Sequence, residues 1–287
     1  WVSFPEMVRL AGGEPRIVET RSQDGFQPRP EAIAAAFNDR TRAIIINSPN
    51  NPSGAILSAE SLSAIAEAVR KHPKVVVVTD DIYSRIVHAP ARWVNYLRIA
   101  PDLSEQTVMV SGVSKTYAMT GWRIGLALAP TEVARAMAAL QSHTTSGANH
   151  PAQYAAAVAF SDERVEAEVK NMVQQFHRRR EIVVEYFREH LPGFEFVEPL
   201  GAFYLFFRVD ACFGGEINDA VTFCQRLIAD GGVALVPGEA FGDDRWVRLS
   251  FAASEQQIRK ALKRLVLFIN NLRGVKSSER EAGVARQ

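Results

Sequence analysis

Over the first half of the chain, short β-branched runs alternate with longer stretches whose apolar residues recur at helical spacing. Residues 43–46, 75–78 and 107–110 are compact apolar runs of strand length, and 124–129 is a fourth. Between the first two, Leu62, Ile65, Ala66 and Val69 mark one face of a helix over 58–71. The four valines at 75–78 show no polar alternation, the pattern of a strand covered on both faces. Residues 7–10 read as a helix stopped by Gly12-Gly13, 15–19 as a short strand and 30–37 as a helix. Such alternation predicts an α/β fold with a mostly parallel sheet.

Helices are expected at 130–141 and 151–160, with a polar loop over 142–147 between them. From Ser161 the character changes. Val165, Val169, Met172, Phe176, Val183 and Phe187 form an apolar stripe in a charged stretch, predicting one long amphipathic helix over about 161–191, stopped by Pro192-Gly193. The remainder reads as α+β. Strands are expected at 194–197, 202–209, 233–236 and 246–251, and a helix at 219–230. A capping box from Ser254 to Gln257 opens a last helix marked by Ile258, Leu262, Leu265 and Ile269. Residues 277–287 read as a polar, frayed tail.

With 287 residues, 47% of them hydrophobic, the chain can bury a large core in one or two domains. A formal net charge of +1 gives no footprint for nucleic acid or membrane binding. No apolar run reaches the length of a membrane span. Cys212 and Cys224 are twelve residues apart, which fits no zinc or redox motif, so both read as structural thiols in a reducing compartment. The six histidines show no metal-ligand pairing. The run His177-Arg178-Arg179-Arg180 reads as the solvated face of the long helix. No Walker A string, Gly-x-Ser-x-Gly elbow or dinucleotide-binding glycine fingerprint is present.

The chemistry gathers where strand-like runs end. Asn47-Ser48-Pro49-Asn50-Asn51-Pro52-Ser53-Gly54 follows the first, Thr79-Asp80-Asp81-Ile82-Tyr83 the second, and Ser111-Gly112-Val113-Ser114-Lys115-Thr116 the third, with Arg123 beyond it. Open α/β sheets bind ligands at such ends. A lysine followed at this spacing by an arginine can bond an aldehyde while the arginine holds a phosphate of the same molecule, and pyridoxal 5'-phosphate carries both groups. A surface Ser-Lys turn beside an unrelated arginine is the competing reading of that one motif.

Together these strings resemble the class I/II aminotransferases of the fold-type-I pyridoxal-phosphate superfamily, on the aspartate-aminotransferase-like branch, over residues 1–273. The resemblance implies a large cofactor-binding domain over 1–170, incomplete here, and a smaller C-terminal α+β domain over 171–287. In that family the Trp1-Val2-Ser3-Phe4-Pro5-Glu6-Met7 stretch lies well inside the large domain. The chain is therefore expected to be a fragment lacking the glycine-rich phosphate loop, and to be inactive alone.

By the same resemblance Lys115 is the Schiff-base lysine and Asp80 pairs with the pyridine nitrogen; an Asp after a strand is more often a helix cap, and Asp81 can serve as that cap. Tyr83 and Asn51 donate to the cofactor's phenolic oxygen, and Arg123 binds its phosphate. A serine is usual in the family where Gly112 stands, which leaves Ser111 and Ser114 as the candidate phosphate hydroxyls. Arg248 takes the substrate carboxylate, Trp1 stacks on the cofactor ring, and Trp1 and Asn51 also face substrate. The implied activity is amino-group transfer between an L-amino acid and a 2-oxo acid in a cytoplasmic homodimer. The alternatives are a lyase or decarboxylase of the same fold, or a non-catalytic regulatory domain.

Overall fold

In a computed structural model, which describes residues 1–284, the four strand-like runs of the first half form one sheet. Its strands are β1 (Ala43–Asn47), β2 (Val76–Asp80), β3 (Thr107–Gly112) and β4 (Gly125–Leu128), in that spatial order. β1, β2 and β3 are parallel and β4 is antiparallel. The helices up to residue 190 are α1 (Ser3–Leu10), α2 (Pro30–Ala36), α3 (Ala59–Arg70), α4 (Tyr96–Ile99), α5 (Thr131–Thr144), α6 (His150–Ser161) and α7 (Glu163–His190). The mostly parallel sheet is as expected.

The local reasons are visible in α3. Ser58 caps it, its side chain accepting from Ser61 N at 3.1 Å. Leu62, Ile65, Ala66 and Val69 then all point into a core with Ile33, Val75, Val77 and Tyr96. Each large aliphatic side chain so buried contributes about 1.5–3 kcal/mol. That core covers only one face of β2. Val76 and Val78 are half-buried, so the expectation of cover on both faces fails.

Compact packing divides the chain in two. One unit comprises Ser3–Gln175 with Leu200–Ala202; the other comprises Trp1–Val2, Phe176–Pro199 and Phe203 onward. The second unit holds an antiparallel sheet in the order β5 (Tyr204–Arg208), β7 (Trp246–Ser250), β6 (Val236–Pro237). Its further helices are α8 (Ala220–Arg226) and α9 (Glu255–Val284). Phe187, Leu205, Phe207, Phe223, Val247, Phe251 and Ile269 are fully buried there. No helix of the described residues is long and apolar enough to cross a membrane.

Several expectations are corrected. Residues 15–19 join no ladder among the described residues, and a strand exists only where a neighbour takes its backbone groups. For the same reason 194–197 reduces to a single bridge between Phe196 and Phe207, and 233–236 to the two-residue β6. The run at 124–129, apolar enough for a buried strand, instead forms the edge strand β4, with Leu128 63% exposed. α5 continues through part of the predicted loop to Thr144. Ser254 does cap α9, accepting from Gln257 N at 3.3 Å, but the reciprocal capping box lies instead at Asp219 and Thr222 of α8. α9 extends through most of the predicted tail, since Glu279, Arg280, Glu281 and Ala282 are good helix formers. Residues 285–287 of that tail lie outside the described residues.

The basic run is not uniformly solvated. Arg180 falls on the stripe of Phe176, Val183 and Phe187 and is buried with them. Its Nε donates to Pro199 O at 2.6 Å and its guanidinium pairs with Glu181 and Glu198. A buried cation needs such partners.

Candidate active site

Because β1, β2 and β3 are parallel, the segments that follow them leave from one edge of the sheet. Asn47 lies level with Asp80, and Asp80 with Val110. Gly112, at the end of β3, is level with Gly125, where β4 begins. Topology alone thus brings together the loops carrying Asn51, Asp80 with Tyr83, Lys115 and Arg123.

The loop after β1 is wired internally. Asn47 Nδ2 donates to Asp80 O at 3.0 Å, and Asn47 Oδ1 accepts from Asn51 N at 3.0 Å. Asn50 Oδ1 accepts from Ser53 Oγ at 2.8 Å, Gly54 N donates to Asn50 O at 2.9 Å, and Trp93 Nε1 donates to Ser48 O at 2.9 Å. Asn51 is consequently held in a buried position. Asn47 and Trp93 received no role from the sequence. Asn47 stands in the quoted string as a strand-end asparagine, but Trp93 carries no local signal.

After β2, strand alternation sends two adjacent carboxylates to opposite faces. Asp81 turns toward Thr79 and Asn95, its carboxylate accepting from Thr79 Oγ1 at 3.2 Å and Asn95 Nδ2 at 3.4 Å. It caps no helix. A turn follows, and Asp80 takes its Ile82 N–H at 3.2 Å. Burial raises the pKa of both groups, and that of Asp81 is pushed up to about 7, with the charge of Asp80 adding to the effect. Tyr83 follows at 3% exposure.

The sign of that shift gives a prediction. Between about pH 4 and pH 7 the folded protein keeps a proton on Asp81 that the unfolded chain has lost, so stability from this group falls as pH rises through that window. Asp81→Asn preserves both acceptor contacts without a charge. Denaturant titrations should show a flatter pH dependence for the variant and higher stability than the parent at pH 8. An unchanged slope would show that Asp81 does not titrate there.

After β3 the chain turns tightly. Val113 N donates to Ile124 O at 3.3 Å, Ala118 N to Lys115 O at 3.3 Å, and Thr120 Oγ1 to Ser114 O at 2.9 Å. Arg123 has φ +57° and its Nη1 donates to Thr120 O at 3.1 Å. Lys115, Ser111 and Ser114 are half-buried and Arg123 is exposed. Gly112 has a packing reason, because a Cβ there would stand 2.8 Å from Ile124 O and 3.1 Å from Gly125 Cα. A serine at 112 would force β3 and β4 apart. A cavity of about 710 Å³ has Arg123, Trp122, Gln141 and Asn149 in its wall, but not Lys115, Asp80, Tyr83 or Asn51.

Arg248 and Trp1 belong to the other unit. Arg248 lies at the centre of β7, level with Phe206 on β5 and Val236 on β6. Its Cζ is 4.5 Å from the centroid of the Tyr204 ring and 5.2 Å from that of Phe241. Two aromatic faces orient its planar guanidinium. Trp1 is about half exposed.

Residues 1–265 match the family model for aminotransferase class I and II. An aspartate aminotransferase of Geobacillus stearothermophilus is 42% identical over 271 residues, which cover 94% of this chain and 68% of that protein. The structure of the Thermus thermophilus aspartate aminotransferase with maleate superposes with a TM-score of 0.86 at 39% identity, over 93% of this chain and 67% of that one. An aromatic aminotransferase of Pyrococcus horikoshii OT3 superposes with a TM-score of 0.87 at 35% identity, over 96% and 72% of the two chains. The chain thus spans about two thirds of the length of the first two relatives. In sequence and fold, this chain belongs to the class I and II aminotransferases, the fold-type-I enzymes that use pyridoxal phosphate to move an amino group between an amino acid and a 2-oxo acid.

Proposed function

We propose that the edge formed by β1, β2 and β3 is the pyridoxal-phosphate site of a transaminase whose preferred donor is an acidic amino acid of the aspartate type. The observation that carries this is the convergence of an amide, a carboxylate, a phenol, an amine and a guanidinium, on Asn51, Asp80, Tyr83, Lys115 and Arg123, at the ends of adjacent strands. That donor set fits the cofactor group for group. Burial raises the pKa of Asp80, so its anion requires a cation, and a protonated ring nitrogen is one.

When bound, pyridoxal phosphate supplies an electron sink for negative charge at the substrate α-carbon. Asp80 keeps the proton on the ring nitrogen. Tyr83 and Asn51 donate to the phenolic oxygen, and Arg123 holds the phosphate as a planar fork, with the hydroxyl of Ser111 or Ser114. The Lys115 amine would carry the proton between the substrate α-carbon and the former aldehyde carbon of the cofactor, first as a general base and then as a general acid. Arg248 grips the α-carboxylate and so orients the α-hydrogen, and Trp1 stacks on the ring. In this reading residues 1–170 form the cofactor domain and 171–287 the smaller one, in a cytoplasmic homodimer.

The acidic donor rests on the names of relatives, among which aspartate aminotransferases are prominent. These names also favour transfer over the lyase, decarboxylase and regulatory alternatives. The test is a donor panel. Protein carrying this chain, loaded with pyridoxal phosphate and given 2-oxoglutarate, should form glutamate fastest from L-aspartate, with oxaloacetate in equal amount. Faster reaction with phenylalanine or tyrosine would move the donor class. Ammonia without glutamate would replace transfer by elimination.

A further inference from the structure

The first unit is completed by three residues that come from far along the chain. Leu200, Gly201 and Ala202 lie between segments of the second unit in sequence, yet pack in the first. Their backbone is bonded at nearly every polar group. Leu200 N and Gly201 N both donate to Gly54 O at 2.9 Å, and Ala202 N donates to Ile86 O at 2.9 Å. His88 holds the segment twice: its backbone N donates to Leu200 O at 2.8 Å, and its Nε2 lies 2.8 Å from Ala202 O. A carbonyl can only accept, so Nε2 carries the hydrogen. The imidazole is 1% exposed.

The fit leaves no room for substitution. A Cβ on Gly201 would stand 2.6 and 2.7 Å from two ring carbons of Pro49 and 2.9 Å from Ile86 O. Ala202, fully buried, has φ +56°, a left-handed conformation that a residue with a Cβ adopts only under constraint. What these three residues touch is informative. Gly54 and Pro49 belong to the loop that carries Asn51, and Gly54 N is bonded to Asn50 O. Ile86 ends the turn that carries Tyr83, and Ile86 N is bonded to Tyr83 O at 2.8 Å.

We propose that Leu200–Ala202 is a brace that fixes the Asn51 and Tyr83 loops relative to each other, and that His88 and Gly201 are positioning residues of the reaction because they seat it. The role rests on the reading of Asn51 and Tyr83 given above. The two donors reach one oxygen of the cofactor from different strands, so their separation has to be set by something that touches both loops. The brace does so through Gly54 and Ile86.

Three variants and two readouts test it. His88→Phe removes the donor at similar size, His88→Gln keeps an Nε2 hydrogen for Ala202 O, and Gly201→Ala displaces the backbone. In cofactor-free protein, His88→Phe and Gly201→Ala should speed hydrogen exchange at the Gly54 and Ile86 amides about tenfold, the loss of roughly one hydrogen bond. His88→Gln should remain near the parent, and the amides of α3 should not change in any variant. In protein loaded with pyridoxal phosphate, the pH midpoint of the visible absorbance band should rise by about one unit in the first two variants, as donors to the phenolic oxygen are misplaced, and return in His88→Gln. Exchange that rises equally in α3 would make the brace merely structural and overturn the proposal. So would an unmoved midpoint. If Gly201→Ala does not fold, the two His88 variants decide. A parent protein that takes up no pyridoxal phosphate would overturn the proposed function, and the positioning role with it.

Discussion

Lys115→Ala should lower transamination by about ten-thousand-fold, the loss of a positioned acid-base group, and should remove the visible absorbance of the cofactor-loaded protein at the same time. Both effects come from one atom, since the Nζ of Lys115 is assigned both the attachment and the proton. The turn that presents it is independent of the side chain, being held by Val113 N to Ile124 O and Ala118 N to Lys115 O. The variant should therefore fold like the parent, and circular dichroism checks this before activity is read. Retention of the absorbance band, or its loss on changing a different lysine, would remove Lys115 from this role.

Arg248→Ala should raise KM and lower kcat/KM for both amino and oxo acids while leaving cofactor uptake unchanged. A bidentate grip on a carboxylate in a desolvated site contributes about 2–5 kcal/mol, which is roughly thirty-fold to several-thousand-fold in kcat/KM. The aromatic faces of Tyr204 and Phe241 predict what the conservative change does. Arg248→Lys keeps the charge but loses the planar fork those rings orient, so it should recover only a small part of the loss. Uptake can stay intact because Arg248 lies in a different unit from the edge that carries Lys115, Asp80 and Asn51. Equilibrium binding of pyridoxal phosphate to the variant is the check. Weakened uptake would mean that Arg248 serves the cofactor instead.

The first sheet was legible because its pattern is local. The valines at 75–78 and the apolar stripe of Leu62, Ile65, Ala66 and Val69 announce β2 and α3 without any distant partner, and each of the three strings begins where a strand stops. What was not legible depends on residues remote in sequence. Whether 15–19 or 194–197 is a strand is decided by neighbours that a local pattern does not contain. Asp81 reads as a helix cap, and only the pleat of β2, which turns it toward Thr79 and Asn95, shows that it caps nothing. Arg180 reads as one of a solvated basic run until the register of α7 places it with Phe176 and Val183. Gly112 looks like a departure from a serine pattern, and becomes a necessity only when the carbonyl of Ile124 is seen against it.

The first unit is discontinuous along the chain, and that has a consequence for the order in which it is made. The bond between His88 and Ala202 closes a separation of 114 residues, and ribosomal synthesis of such a length takes on the order of ten seconds. Through that interval a nascent chain already holds Asn51, Asp80, Tyr83 and Lys115, and β1, β2 and β3 can pair through their short crossovers. Gly54 O and Ile86 O have no Leu200, Gly201 or Ala202 to accept from until α7 has been made. The chain thus acquires its reactive groups early and the means of spacing them late, so the C-terminal half governs when the N-terminal half is finished.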